Sequence, residues 1–245
     1  LIPPGAPAGT LPAGTVPPPT ATVARAEAAV YDNPIFPGDF PDPFVLPVDD
    51  GYYAYSTNVG DVNVPVVRFG ADFAVYEVLG DALPDLPQWA AWHQSLTWAP
   101  AVLARGERYV LYYTVRYRTA ERQCISRAVS DNPAGPFVDE RSEPLVCQLE
   151  LGGSIDPSPF VDVDGTAYLL WKNDGNCCGR PVGLWVQRLS ADGLSLEGEP
   201  VELIRRDQLW ENPLIEAPAM VEHDEQYYLF YSGNWWESHT YAVGY

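Results

Sequence analysis

Four stretches of the chain are versions of one another: Phe40-Pro41-Asp42-Pro43, Thr97-Trp98-Ala99-Pro100, Ser154-Ile155-Asp156-Pro157 and Ile215-Glu216-Ala217-Pro218. Their closing prolines follow at intervals of 57, 57 and 61 residues. Each proline opens a short apolar run, such as Phe44-Val45-Leu46 or Ala101-Val102-Leu103, and an aromatic-rich run comes nine to eleven residues later. Those second runs are Tyr52-Tyr53-Ala54-Tyr55, Tyr109 to Tyr113, Tyr168-Leu169-Leu170-Trp171 and Tyr227 to Tyr231. A period this long built from short strands is the pattern of a β-propeller, with one blade per repeat. Asp42, Asp156 and Glu216 then start equivalent strands around one axis, and their carboxyl groups converge on one pocket.

Proline lacks an N–H, which confines it to a strand's first position or to an edge, and a blade's innermost strand is an edge facing the central channel. Proline also favours an extended conformation in the residue before it. Asp42, Ala99 and Asp156 are therefore expected to enter their strands extended, with a common aim. Between first and second strands lie Val48-Asp49-Asp50-Gly51, Ala104-Arg105-Gly106-Glu107, Asp162-Val163-Asp164-Gly165 and Glu222-His223-Asp224-Glu225, which read as hairpin turns. Asp162 to Gly165 lacks the remaining ligands and closing Glu of a calcium loop and is taken as a turn. A hairpin returns the chain to its starting end. Thr57-Asn58, Thr114-Val115-Arg116, Lys172-Asn173-Asp174 and Ser232-Gly233-Asn234 should thus rim the acidic pocket, with Asn58, Asn173 and Asn234 as candidate substrate ligands and ordinary turn residues as the competing reading. Trp98 holds the place in its repeat that Glu216 holds in the fourth, and offers a flat face for a sugar ring.

The remaining composition agrees with an all-β fold. Tyr, Trp and Val are frequent, Gly and Pro punctuate at short intervals, and no long helix-period stretch occurs. Acids outnumber bases 33 to 14, a formal charge of −19, which disfavours nucleic acid and anionic membranes as partners. No apolar run approaches the roughly 20 residues of a membrane span. Residues 1–30 are rich in Pro, Ala, Gly and Thr and read as a flexible linker, with the catalytic domain occupying 31–245. Such a leader fits a chain from which a secretion signal, lipid anchor or upstream domain has been removed; a disordered tail is the alternative. Cys124 and Cys147 flank a turn-rich segment and are expected to form a disulfide, whereas Cys177-Cys178 could close a strained vicinal bridge or pair elsewhere. No cysteine spacing suits zinc. A secreted or cell-surface monomer is the expectation.

At its acidic motifs the chain resembles glycoside hydrolase family 43. The segment from Asn33-Pro34-Ile35 through Phe40-Pro41-Asp42-Pro43 to Tyr52-Tyr53 is similar to the family's opening, which implies Asp42 as general base. Ser154 to Phe160 matches its second acidic motif, with Asp156 tuning the acid and orienting substrate, and Ile215 to Pro218 the third, with Glu216 as general acid. The resemblance implies a five-bladed β-propeller and an inverting hydrolase of arabinofuranosyl or xylosyl linkages in oligo- or polysaccharides. An α-L-arabinofuranosidase is the leading reading, with endo-arabinanase, β-xylosidase and a non-catalytic carbohydrate-binding propeller as alternatives. Fructosidase families open on an Asn-Asp-Pro motif that Asn33-Pro34 does not reproduce. Four blade starts are present; four-bladed closure and a fifth blade beyond Tyr245 both stay open, the latter being expected. Many family members carry a late histidine near a central metal ion and a late basic residue, and both would lie past Tyr245. No cofactor is required, no metal ligands are assigned, and a central calcium ion is compatible with the resemblance but has no support from His93, His223 or His239. Like charges nearby should raise Glu216 and keep it protonated near neutral pH.

Overall fold

Each proline-led run and the aromatic run after it form an antiparallel pair, because a short polar turn between apolar stretches, two residues in three blades and five in the third, lets both bury the same faces. The computed structural model describes residues 33–91 and 96–245. The expected 1–30 linker, Tyr31, Trp92 and His93 lie outside the described residues. The first sheet contains β1 (Phe44–Val48), β2 (Gly51–Tyr55), β3 (Pro65–Gly70) and β4 (Tyr76–Asp81), paired in chain order. The second contains β5 (Trp98–Arg105), β6 (Arg108–Tyr117) and β7 (Arg122–Ser130); the third β8 (Ser154–Val161), β9 (Ala167–Asn173), β10 (Gly183–Leu189) and β11 (Leu196–Arg205); the fourth β12 (Ile215–His223), β13 (Gln226–Gly233) and β14 (Ala242–Gly244). All pairings are antiparallel. The fold is an all-β propeller, and these are four of its blades. The first strands pack side by side in succession, β1 with β5, β5 with β8 and β8 with β12.

The core lies in layers between blades, which follows from the period-2 alternation of strand side chains. In β6, Leu111, Tyr113 and Val115 join a cluster with Leu46, Tyr55 and Val66 of the first sheet. Val110 and Tyr112 face the other way, onto Leu169 and Trp171 of the third. Buried tyrosines need a partner for the hydroxyl. Tyr55, Tyr112 and Tyr113 find theirs in the Pro133 carbonyl at 2.6 Å, the Gly193 carbonyl at 2.6 Å and Asp139 Oδ2 at 2.7 Å. Trp171 is likewise a core residue, its indole N–H donating to Gln148 Oε1 at 2.8 Å.

One expectation is overturned. The residues before the four prolines are not extended: Asp42, Ala99, Asp156 and Ala217 have φ of 48°, 42°, 57° and 53°. The reason is a β-bulge repeated at the same place in each blade. Trp98 pairs with Thr114 and Ala101 with Tyr112, so Ala99 and Pro100 together oppose Tyr113. Asp156-Pro157 oppose Trp171, and Ala217-Pro218 oppose Tyr231, in the same way. In the first blade Thr57 N–H donates to the Pro41 carbonyl at 3.0 Å and Phe44 pairs with Tyr55, which leaves Asp42-Pro43 opposite Ser56. An extra residue in a strand is accommodated by a left-handed conformation, and Asp tolerates it better than most side chains. Ala99 and Ala217 do not share that tolerance, so tertiary hydrogen bonds must hold them there.

The cysteines divide as anticipated for one pair. Cys124 and Cys147 are bonded, with Cα atoms 4.8 Å apart. Cys177 and Cys178 are free and exposed in the 3-10 turn Gly175–Cys178.

Candidate active site

The bulges bring together acids that alternation alone would separate. Glu216 immediately precedes its bulge, whereas Asp42 and Asp156 occupy the first bulge position, one residue later in the repeat. Adjacent residues of a regular strand point to opposite faces. A positive φ at the bulge re-aims the side chain, so a residue before the bulge and one within it can serve the same pocket.

Polar side chains of one blade fix the bulge of the next. Ala99 N–H donates to Thr57 Oγ1 at 2.8 Å, and Asp156 N–H to Thr114 Oγ1 at 3.2 Å. Ala217 N–H donates to Asp156 Oδ2 at 2.9 Å. Asp42 is exposed and receives the Thr57 hydroxyl on Oδ2 at 2.5 Å. Thr57 thus orients an acid of its own blade while holding the backbone of its neighbour.

Glu216 is gripped at both oxygens. Lys172 Nζ donates to Oε2 at 3.0 Å, and the Tyr241 hydroxyl to Oε1 at 2.9 Å. The lysine side chain is 1% exposed and that of Glu216 14%. Asp156 lies within the same field: burial pushes its carboxyl up to about 7, with Glu216 and Asp42 adding to the rise and Lys172 and the Ala217 N–H opposing it. Asp174, buried after β9, is pushed up to about 6, chiefly by burial, with Lys172 opposing and Glu216 adding. Burial also raises the Tyr241 hydroxyl, keeping it a donor. Burial thus raises two carboxyls beside Glu216, those of Asp156 and Asp174, toward the neutral range.

The other expected ligands separate into two groups. Trp98 is half-buried and pairs with Thr114, the register that Glu216 keeps with Ser232. Asn58 is half-buried beside Thr57, its N–H donating to the Thr97 carbonyl at 2.9 Å. Asn173 does not face the pocket as a ligand. It is 2% exposed, its amide donating to the Leu151 and Pro181 carbonyls at 3.0 and 2.8 Å while Oδ1 accepts from Gly183 N–H and Trp185 Nε1 at 2.8 and 3.0 Å. An amide with its full complement of partners has nothing left for a sugar. Asn234 is a turn residue at φ 84°, its side chain bound to the Trp210 carbonyl and the Trp235 N–H at 3.2 and 2.8 Å. His223 and His239 are exposed, the former 3.6 Å from Asp224 Oδ2. Among the described residues, no three His, Cys, Asp or Glu side chains are grouped as metal ligands would be.

Sequence reasoning gave no role to Tyr241, and it set Lys172 at the pocket rim without pairing it to an acid. Nothing in the repeat reaches Tyr241, which lies after the last aligned strand. Lys172 did carry a signal: it falls at the place occupied by Thr57, Thr114 and Ser232 in the other repeats.

Residues 31–245 match the model of Glycosyl hydrolases family 43. Among curated relatives, the β-D-galactofuranosidase xynD of Aspergillus niger is 27% identical over 238 residues, covering 87% of this chain and 62% of its own. A xylosidase/arabinosidase of Butyrivibrio fibrisolvens is 27% identical over 213 residues, covering 83% of this chain and 38% of its own. The chain therefore spans less than two thirds of either relative. Among solved structures, a thermostable family-43 glycoside hydrolase superposes with a TM-score of 0.77 at 29% identity, covering 88% of this chain and 70% of that one.

Proposed function

This chain belongs to Glycosyl hydrolases family 43, and from that premise we propose that it hydrolyses arabinofuranosyl or xylosyl linkages of plant or microbial glycans with inversion, most specifically as an α-L-arabinofuranosidase. The observation that carries the reading is the position of Asp42 and Asp156 within equivalent blade bulges and of Glu216 immediately before one, each held by a partner from its own or an adjacent blade. The xylosidase/arabinosidase relative supports the sugar class.

In this reading Asp42 removes a proton from water as the oxygen attacks the anomeric carbon, while Glu216 delivers a proton to the departing glycosidic oxygen. The Thr57 hydroxyl fixes one Asp42 oxygen; among the described residues, the other accepts no hydrogen bond and is available to water. Asp156 orients the Glu216 backbone through the Ala217 N–H and shares its electrostatic surroundings. Tyr241 and Lys172 hold the acid's carboxyl in one orientation. The substrate is a neutral glycan, the pocket being acidic already, and the site of action is extracellular.

Hydrolysis of a panel of aryl arabinofuranosides, xylosides and galactosides, with the product anomer followed by NMR, tests the proposal. Arabinofuranoside should be cleaved fastest, with inversion. Glu216→Gln and Asp42→Asn should each lower kcat/KM by roughly 10²–10⁴-fold. Parental rates in either folded variant, or a retained anomer, would overturn the assignment.

A further inference from the structure

Position 172 departs from a pattern that two other blades keep. In the first and second blades the hydroxyl at this place accepts the bulge N–H of the following blade, Thr57 from Ala99 and Thr114 from Asp156. A lysine ammonium has three donors and no acceptor. It cannot take the Ala217 N–H, which turns instead to Asp156 Oδ2, while the ammonium reaches Glu216 Oε2 at 3.0 Å. One residue type thus recruits Asp156 as a latch and sets a cation beside Glu216.

A cation this deeply buried is expensive unless it is paired. The groups around it come from several elements: Glu216 from β12, Asp156 from β8, and Asp174 from the turn after β9. Tyr241, before β14, holds the far oxygen of Glu216. Asp42, ahead of β1, acts on Asp156, while Arg122 of β7 and the Cys177 thiol face Asp174. Carboxyl groups therefore outnumber cations in this cluster. We propose that Lys172 is a positioning residue that sets the proton load of the cluster, fixing Glu216 and keeping the pocket from binding a further proton in the neutral range. Lys172 already acts downward on both Asp156 and Asp174, against the effect of burial. The kinetic consequence rests on Asp42 and Glu216 being base and acid; the titration does not.

The test compares Lys172→Met, Lys172→Thr and Lys172→Arg with the parent by ¹³C-carboxyl NMR titration, together with the pH profile of arabinofuranoside hydrolysis. Loss of the cation should raise at least one carboxyl of the cluster by about one pH unit or more. Both limbs of the kcat/KM profile should move to higher pH in the Met and Thr variants and stay near the parent in the Arg variant. Lys172→Thr restores the residue type of the first two blades and an acceptor for the Ala217 N–H, so it carries the test if the Met variant fails to fold. Carboxyl titrations within about 0.3 unit of the parent in the Thr variant would overturn the proposal. A parent that cleaves no glycoside would sink the reading of function and leave the titration to decide the role of Lys172.

Discussion

Asp156 carries a structural load and an electrostatic one at the same atoms. Its N–H is held by Thr114, its Oδ2 holds the Ala217 N–H, and burial lifts its carboxyl from 3.8 to about 7. The native state therefore keeps a proton that the unfolded chain has already released. Stability should fall as pH rises from about 4 to about 7 and level off above, by at most about 1.4 kcal/mol per pH unit for one proton. Asp174 adds the same sign from about 4 to about 6. Asparagine at position 156 can still accept the Ala217 N–H but cannot ionise. Urea unfolding of Asp156→Asn should accordingly show a shallower decline over that window than the parent. Equal slopes would mean that another group supplies the dependence.

At the level of the element, the bulge decides what a repeat can present. A non-glycine residue in the left-handed region costs about 1–2 kcal/mol, which Asp relieves in part and Ala does not. Ala99→Gly removes that strain and adds unfolded-state entropy of similar size, so its stability should stay within about 1 kcal/mol of the parent. Ala99→Val puts a branched Cβ where the backbone disfavours it most and should cost about 2 kcal/mol or more by urea denaturation. A valine variant as stable as the glycine one would show that the bulge relaxes. The repeat made the first and second strands and the convergence of the acids legible, because proline spacing and aromatic runs are local signals. The bulge was not legible, since the preference of a residue before proline is overridden by a hydroxyl some forty positions away, 42 for both Ala99 and Asp156. Asn173 and Asn234 were open to two readings for a related reason: an amide at a strand end satisfies packing and turns as readily as a ligand, and only its partners tell the two apart.

For the molecule as a whole, the formal charge of −19 is the dominant long-range quantity. Salt screens repulsion among charges more than about 10 Å apart at 0.1 M. Raising NaCl from about 10 mM to about 500 mM at neutral pH should therefore raise Tm, as read by calorimetry, while leaving the buried Lys172–Glu216 contact little affected. A falling Tm would mean that exposed ion pairs such as Arg68–Asp50 and Arg205–Glu202 outweigh the net repulsion. The all-β class and the blade repeat were legible from the spacing of prolines and aromatic runs. The contents of the 174–181 turn were not, because nothing repeats there.

A bulge whose backbone is fixed by the blade before it, while its side chain remains unassigned, separates aim from identity. Duplicating a blade like the first or second would copy a hydroxyl for the next bulge along with a bulge awaiting a hydroxyl, and the pointing geometry with it. Acids can then be gained or lost by single substitutions at positions already directed at the axis, as Asp156 and Ala99 illustrate at one shared φ range. The pocket can be rewritten in chemistry without being rebuilt in shape.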